Sequence, residues 1–512
     1  MTKPPAHPFP PGMPLACILP APLSVLGPTR GGPIRLLPMK TSTTLVLALL
    51  FSLSAPAARG DPVAFPLKLS ANHRYLVDQH NQPFRLNCES AWMLSVQATA
   101  ADVDEYLDYR ASKGFNSFIL MAMVHPGDFS EFAPQCPRNR FGRAPHERVG
   151  DFSSAPDEEY WKFIDGIIEA GARRQMAVVF AYTYLGYGGG NQGWWQDLQR
   201  DCNTPDVCFR WGEWLGRRYR DRTNILWYTI GDFTPPAGSE GARRTRRILE
   251  GIKAACPWAL FAGEPSGCDQ LTTDAQDIAD VVDMNSFYGY GPDCDQRVYL
   301  TADRAWNHQP TIPAWVGEPV YYDEQIVGFD TASGNRQDTR ALQWQSVLAG
   351  GTAGDNTSTK AIWKFTTWRK DLDNGYSQDR RHLFAFFANL PWYALVPSGI
   401  EKRNFGRPLV MRGNPPDRRH IVAAATEDRT WLVVYTPPSP WVPTSTRFFT
   451  VDMSILRGPA RARWFNPASG TYTVIAETLP NTEPHRFVTP GDNGTGTNDW
   501  VLVVDCAVGE SR

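Results

Sequence analysis

Between about residues 65 and 390, short apolar runs alternate with longer stretches of helical period. The runs are Phe84–Glu89, Ser117–Met121, Met176–Tyr182, Ile225–Ile230, Ala259–Gly263, Val281–Asn285, Thr311–Gly317 and Ala361–Phe365. Each is apolar enough to be a parallel strand covered on both faces. Amphipathic stretches separate them, such as Ala101–Lys113, Glu159–Arg173, Pro205–Tyr219, Ala242–Ala254, Asp338–Leu348 and Gln378–Asn389. Eight β/α units predict an α/β fold of the (β/α)8 TIM-barrel type. A doubly wound open sheet is the rival, but its Gly-rich dinucleotide loop is missing, and Gly186–Gly190 reads as a loop after a strand. Alternation at Leu67-Lys68-Leu69 and Arg74-Tyr75-Leu76-Val77 predicts a small hairpin before the barrel, so 65–398 forms one unit.

From about residue 408 the pattern changes. Strand-like segments recur at short spacing: Leu409–Met411, Ile421–Ala424, Trp431–Tyr435, Arg447–Val451, Ala460–Phe465, Thr471–Ile475 and Trp500–Val504. Turn clusters such as Asn466-Pro467-Ala468-Ser469-Gly470 lie between them. This predicts a small β-sandwich over 408–506.

The first residues read differently. Residues 1–38 carry 11 Pro and no acidic residue, a leader that cannot build a core. Met39-Lys40, the apolar run Leu45–Leu53 and Ala55-Pro56-Ala57 have the layout of a secretory signal peptide over 39–57. The run is too short to span a bilayer. The mature chain is therefore expected to be exported, to the periplasm or outside the cell, with no membrane attachment. Its oligomeric state is not legible. Without residues 1–57 the formal charge is −6, and no basic domain argues for a nucleic-acid partner. Eight Cys remain, an even number that permits disulfides in an exported chain. Cys202 and Cys208 are close enough to bridge a short loop. There is no C-x-x-C, H-E-x-x-H, Walker A or G-x-S-x-G motif, and no metal or cofactor is expected.

In a TIM barrel the chemistry sits at the C-terminal ends of the strands. Strand one ends at Glu89 with Trp92 near by; Asn116 and His125 flank strand two. Strand three leads to Tyr182 and Tyr184, strand five to Glu264, strand six to Asn285 and Tyr288. Strand seven holds Trp315, and strand eight leads to Lys364 and Trp368. Asp232 and Glu318 stand out, because each follows a Gly at the end of a buried-type strand, where a carboxylate is expensive unless functional or paired. Two carboxylates across a barrel mouth are the minimum set for glycoside hydrolysis. Glu264 and Glu89 compete for the same roles. The chain has 18 Trp, 18 Tyr and 26 Phe, a surplus that suits stacking on sugar rings. At least three of Trp92, Tyr182, Tyr184, Tyr288, Trp315 and Trp368 are expected to line one pocket. The other class of reading is a non-catalytic carbohydrate-binding or matrix protein that keeps the aromatic cleft without the acid pair.

Several short motifs, in order, resemble the apiosidase-like glycoside hydrolases, a secreted (β/α)8 family also called DUF4038. They are Ala91-Trp92, Lys113-Gly114-Phe115-Asn116, Asn224-Ile225-Leu226-Trp227 leading to Gly231-Asp232, and Gly317-Glu318-Pro319-Val320-Tyr321. Leu348-Ala349-Gly350-Gly351-Thr352-Ala353-Gly354 and Leu390-Pro391-Trp392 complete the set. The tail, with Val433-Val434-Tyr435, Trp464-Phe465-Asn466-Pro467 and Asp499-Trp500-Val501-Leu502, is similar to the small collagen-binding-type β-domain that often follows this barrel. The resemblance implies Asp232 as acid/base, Glu318 as nucleophile, and an oligosaccharide or polysaccharide substrate. Two departures from the family pattern, Cys88-Glu89-Ser90 and Tyr321-Tyr322-Asp323, flank the expected sugar pocket and leave the sugar open.

Overall fold

Eight parallel strands form the central sheet: β1 (Leu86–Ser90), β2 (Ser117–Met121), β3 (Ala177–Ala181), β4 (Ile225–Ile230), β5 (Phe261–Glu264), β6 (Asn285–Gly289), β7 (Ala314–Pro319) and β8 (Gly354–Thr357). They are hydrogen-bonded in the order β5-β4-β3-β2-β1-β8-β7-β6. The computed structural model describes residues 61–290, 297–323, 334–439 and 441–506. The expected leader and signal peptide, and Cys294, lie outside these residues. The barrel is closed across β5 and β6 without a regular ladder. Leu271 makes an antiparallel bridge to Phe287 there. Beside it, Thr272 Oγ1 donates to the carbonyl of Gly263 (2.5 Å) and accepts from the amide of Ser286 (2.8 Å). A side-chain hydroxyl thus satisfies backbone groups of both strands that a ladder would otherwise pair.

The outer layer is α1 (Ala100–Ser112), α2 (Glu158–Arg173), α3 (Pro205–Tyr219), α4 (Glu240–Ala255), α5 (Val298–Trp306), α6 (Arg336–Ala349) and α7 (Gly375–Ala388). The connection from β5 to β6 carries only a 3-10 turn, Thr272–Asp274, in place of a helix. Most helices begin on side-chain caps that stop the backbone donors from being orphaned: Thr99, Asp157, Thr204, Ser239, Asn335 and Asn374.

Two strand positions differ from the sequence pattern. The sixth strand is Asn285–Gly289 rather than Val281–Asn285, so Asn285 opens the strand instead of ending it. The eighth is Gly354–Thr357 rather than Ala361–Phe365. Gly-Asp-Asn-Thr does not read as an apolar run, yet all four residues are buried. The cost of burial is offset by partners: Asp355 pairs with Arg85 (2.6 Å) and Arg380, and Asn356 donates to Ser90 Oγ (2.7 Å). The apolar Ala361-Ile362-Trp363 instead forms a short helix, Lys360–Trp363, started by Thr359.

Ahead of the barrel, Lys68–Leu69, Leu76–Val77 and Pro83–Phe84 pair as a small antiparallel sheet, where the sequence pattern places a hairpin. The strands after the barrel build the β-sandwich: β9 (Leu395–Pro397), β10 (Val410–Arg412), β11 (Val422–Thr426), β12 (Trp431–Thr436), β13 (Phe448–Val451), β14 (Ala460–Phe465), β15 (Tyr472–Leu479), β16 (His485–Val488) and β17 (Trp500–Cys506). One sheet runs β9-β11-β12-β17-β14-β15 and the other β10-β13-β16. On β12, Leu432 and Val434 face the sandwich core while Val433 and Tyr435 join the barrel core. The larger sheet is therefore covered on both faces. Tyr435 stacks on Trp344 of α6 with ring centres 5.7 Å apart. Arg340 of α6, 2 % exposed, makes a two-pronged pair with Asp499 (both 2.7 Å) and bonds Asp379 (2.8 Å). Barrel and sandwich form one compact unit. Cys268 is disulfide-bonded, whereas Cys202 and Cys208 are free thiols, contrary to the expected bridge. The Cys208 thiol contacts the carbonyl of Asn203 instead (3.4 Å).

Candidate active site

Three carboxyl groups converge at the C-terminal mouth of the barrel. Asp232 follows β4 through three consecutive residues in the left-handed region: Ile230 (φ 57°), Gly231 (φ 93°) and Asp232 (φ 53°). A β-branched residue at positive φ is strained, and the surrounding bonds hold it. Leu185 N–H donates to the carbonyl of Ile230 (2.8 Å), Gly231 N–H to that of Glu264 (3.2 Å), and Gly188 N–H to that of Asp232 (3.1 Å). Only Gly fits at 231, because a Cβ there would run into the ring of Tyr184.

Glu318 reaches the mouth by a different device. The ladder between β7 and β6 shifts register between Val316 and Glu318. Such a bulge adds one residue and re-aims the next side chain. Gly317 occupies it, and a Cβ there would overlap Ser286 Oγ and Tyr228 Oη. Glu318 then accepts from Tyr321 Oη (2.5 Å), and Tyr321 Oη accepts from Trp92 Nε1–H (2.8 Å).

Glu264 ends β5. One oxygen each of Asp232, Glu264 and Glu318 lies within 4.8 Å of the others. Exposure separates them: 9 % for Asp232 and 7 % for Glu318, against 1 % for Glu264. Neither oxygen of Glu264 has a hydrogen-bond partner. Burial pushes all three above the ordinary carboxylate range, and for Glu264 and Glu318 the neighbouring Asp232 adds to it. Charge on one acid opposes charge on the others at this range, so the three groups titrate in coupled steps. Among the described residues these are also the acidic side chains close enough to bridge a cation. Tyr184 and Tyr321 already bond oxygens of Asp232 and Glu318, so these two acids are placed as hydrogen-bonded carboxyl groups rather than as free cation ligands.

The aromatic candidates divide. Trp92, Tyr184 and Tyr288 surround the acids; Tyr184 Oη lies 2.6 Å from Asp232 Oδ2, and the Trp92 and Tyr184 rings are 5.8 Å apart. All six are 6 % exposed or less, so none offers the open stacking face expected of it. Trp315 is wholly buried against Tyr228. Tyr182 is turned to Thr229 (2.9 Å) and packs on Trp227. Trp368 stacks on Phe365 behind α1 residue Tyr106. Large rings beside strand ends fill the barrel and the layer behind it, as core packing favours.

Other candidates take structural positions. Glu89 points away from the mouth into a buried pair with Arg110 (2.6 and 2.9 Å) and Tyr106 (2.6 Å). Asn116 precedes β2 at the opposite end of the barrel and ties it to β1 through Asn87 N–H (2.8 Å) and the Arg85 carbonyl (2.8 Å). Asn285, at the start of β6, accepts from the amide and hydroxyl of Thr273 (3.1 and 3.0 Å). Lys364 follows the short helix with its ammonium over Phe132 and Trp363. His125 pins loops: one ring nitrogen lies 2.9 Å from Asp197 and the other 2.8 Å from the carbonyl of Asn191. The pattern of strand ends missed Tyr321, Tyr228, Ser286 and Gln192. Tyr321 lay within the strand-seven motif, three residues past Glu318; Gln192 carried no signal, since it sits in a loop.

A barrel with paired acids at its mouth is the architecture of glycoside hydrolases. The model of the "Apiosidase-like, catalytic domain" matches residues 70–394, and the chain belongs to that family of glycoside hydrolases. Residues 407–505 match the "Putative collagen-binding domain of a collagenase". Two solved structures have a similar fold, each with TM-score 0.70. One, titled "Glycoside hydrolase", is 20 % identical and covers 87 % of this chain and 97 % of its own. The other, a glycoside hydrolase family 5 protein from Bacteroides vulgatus, is 18 % identical and covers 86 % and 93 %. No curated protein matches the chain in sequence.

Proposed function

We propose that the protein cleaves O-glycosidic bonds of a plant or microbial polysaccharide with retention, Glu318 acting as nucleophile and Asp232 as acid/base, after export from the cell. The observation that carries the mechanism is the close approach of the two side chains, with oxygens within 4.8 Å. Retaining pairs stand about 5–5.5 Å apart, whereas inverting pairs need about 6.5–9.5 Å to admit a water. In the first step Glu318 attacks the anomeric carbon while Asp232 gives its proton to the departing oxygen. In the second, Asp232 takes a proton from water, which displaces Glu318 from the sugar. Tyr321 donates to Glu318 and steadies its charge before attack. An open aromatic face is supplied by Tyr187, 66 % exposed, on the loop whose Gly188 binds the Asp232 backbone.

The test compares Asp232→Ala and Glu318→Ala on aryl glycosides of graded leaving-group ability. Asp232→Ala should spare substrates whose leaving groups need no protonation, and Glu318→Ala should spare none. Azide should give a glycosyl azide of retained configuration with Asp232→Ala and inverted configuration with Glu318→Ala. Equal loss on activated and natural leaving groups in the glycosylation step of Asp232→Ala would remove Asp232 from the acid role.

A further inference from the structure

Tyr184 has one hydroxyl proton and two oxygen neighbours: Asp232 Oδ2 at 2.6 Å and Gln192 Oε1 at 2.8 Å. It can donate to only one of them. The orientation of the Gln192 amide decides which. Gln192 Oε1 also accepts from the backbone N–H of Tyr187 (3.2 Å), an obligate donor. Turning the amide over would set its NH2 against that N–H, so the oxygen must face both Tyr187 and Tyr184. Gln192 Oε1 therefore competes with Asp232 for the Tyr184 proton, and whenever Tyr184 donates to Gln192 the 2.6 Å contact is a hydrogen bond only with the proton on Asp232. We infer that Gln192 is a positioning residue that fixes the direction of the Tyr184–Asp232 hydrogen bond and so keeps Asp232 as the proton donor.

The other carboxylate has the opposite arrangement. Trp92 Nε1–H can only donate, so Tyr321 accepts it and spends its own proton on Glu318. Two tyrosines of the same chemistry thus treat the two carboxyl groups differently, according to a third residue behind each: Tyr321 donates to Glu318, and the proton of Tyr184 is contested between Asp232 and Gln192. Contacts on either side of Gln192 tie down its loop. His125 contacts the Asn191 carbonyl (2.8 Å), and Trp194 N–H donates to the carbonyl of Tyr184 (2.8 Å). The titratable groups facing Asp232 are Tyr184, Tyr288 of β6, Glu264 of β5 and Glu318 of β7. None of these is a cation, so the proton on Asp232 is not opposed by a neighbouring positive charge.

This inference rests on the assignment of Asp232 as acid, and its test avoids that dependence by reading the proton directly. Infrared difference titration of the full chain, wild type against Asp232→Asn, reports the pH at which the Asp232 carboxyl ionises. In Gln192→Met the acceptor is gone, Tyr184 turns its proton to Asp232, and ionisation should move down by about one pH unit. Gln192→Glu keeps the acceptor oxygen and adds a negative charge, so ionisation should stay or move up. Opposite signs in two variants of similar size are not produced by a merely loosened loop. An unchanged midpoint in Gln192→Met, or a downward shift of equal size in both variants, overturns the inference. Failure of the acid assignment would appear elsewhere, in the leaving-group dependence of Asp232→Ala.

Discussion

Glu264→Gln asks whether the third carboxyl group of the trio carries charge. The side chain is 1 % exposed, neither oxygen is bonded, and burial, with Asp232 beside it, pushes the group well above the ordinary carboxylate range, which favours the neutral acid. A protonated acid and an amide are both neutral and nearly isosteric. If Glu264 were ionised, its charge would lie within 4.8 Å of an oxygen of Asp232 and of Glu318. At an effective dielectric constant of about 20, that distance corresponds to roughly 3.5 kcal/mol with each neighbour, or about 2.5 pH units. Removing such a charge makes a neighbouring carboxyl easier to ionise, so both limbs of the pH profile would fall by about that amount. A neutral Glu264 exerts no such force. The expected result is a kcat/KM profile for Glu264→Gln whose limbs stay within about half a unit of wild type. A drop of about two units in either limb refutes the neutral assignment.

The wild-type profile itself should be bell-shaped, since the working pair of Asp232 and Glu318 holds one proton between them: activity falls at low pH as the pair gains a second proton and at high pH as it loses the first. Burial raises both groups, so both limbs should lie above the ordinary carboxylate range, and an acid limb near pH 4 would contradict this. Gly317→Ala should leave the circular dichroism spectrum intact but lower kcat/KM by about a hundredfold, since the new methyl displaces Ser286 or Tyr228 and misplaces Glu318; partial recovery in Gly317→Ala/Ser286→Ala tests the cause. Arg340→Met should cost about 3–5 kcal/mol in chemical denaturation and leave a single transition, because the stranded Asp499 and Asp379 belong to both domains; two separate transitions would show that the sandwich is independent. Burial alone would raise Asp499, but Arg340 together with hydrogen bonds from Thr497 and Tyr435 outweighs it and holds the group below its usual value. That contribution to stability is present above about pH 3.9 and fades as pH falls through the lowered value, so the gap between wild type and Arg340→Met should narrow in acid.

Local pattern carried the barrel a long way. Six of the eight runs coincide with strands to within a few residues, because a strand buried on both faces must be apolar throughout. The two displaced strands show the limit. Gly354–Thr357 is buried with polar side chains, and only Arg85, Arg380 and Ser90, distant in sequence, make that tolerable. Apolar Ala361–Trp363 packs as a helix, since a short apolar run does not declare its period. The sandwich strands Leu395–Pro397 and His485–Val488 were too short or too polar to register.

The acids show the same division. Asp232 and Glu318 were legible because a carboxylate after Gly at the end of an apolar run has few bland explanations. By itself the sequence determined the barrel, the following β-domain and the two acids to examine. It did not distinguish Glu89 from Glu264, since each ends a strand. Tertiary structure decided that, turning Glu89 onto Arg110 and Glu264 into the trio. It also decided which aromatics are core, and how each acid is held. Those outcomes depend on which side of a strand faces inward and on what a loop some forty residues away places behind a hydroxyl. Neither is a property of local periodicity: a bulge at Gly317 reverses the first, and the fold of the Gln192 loop sets the second.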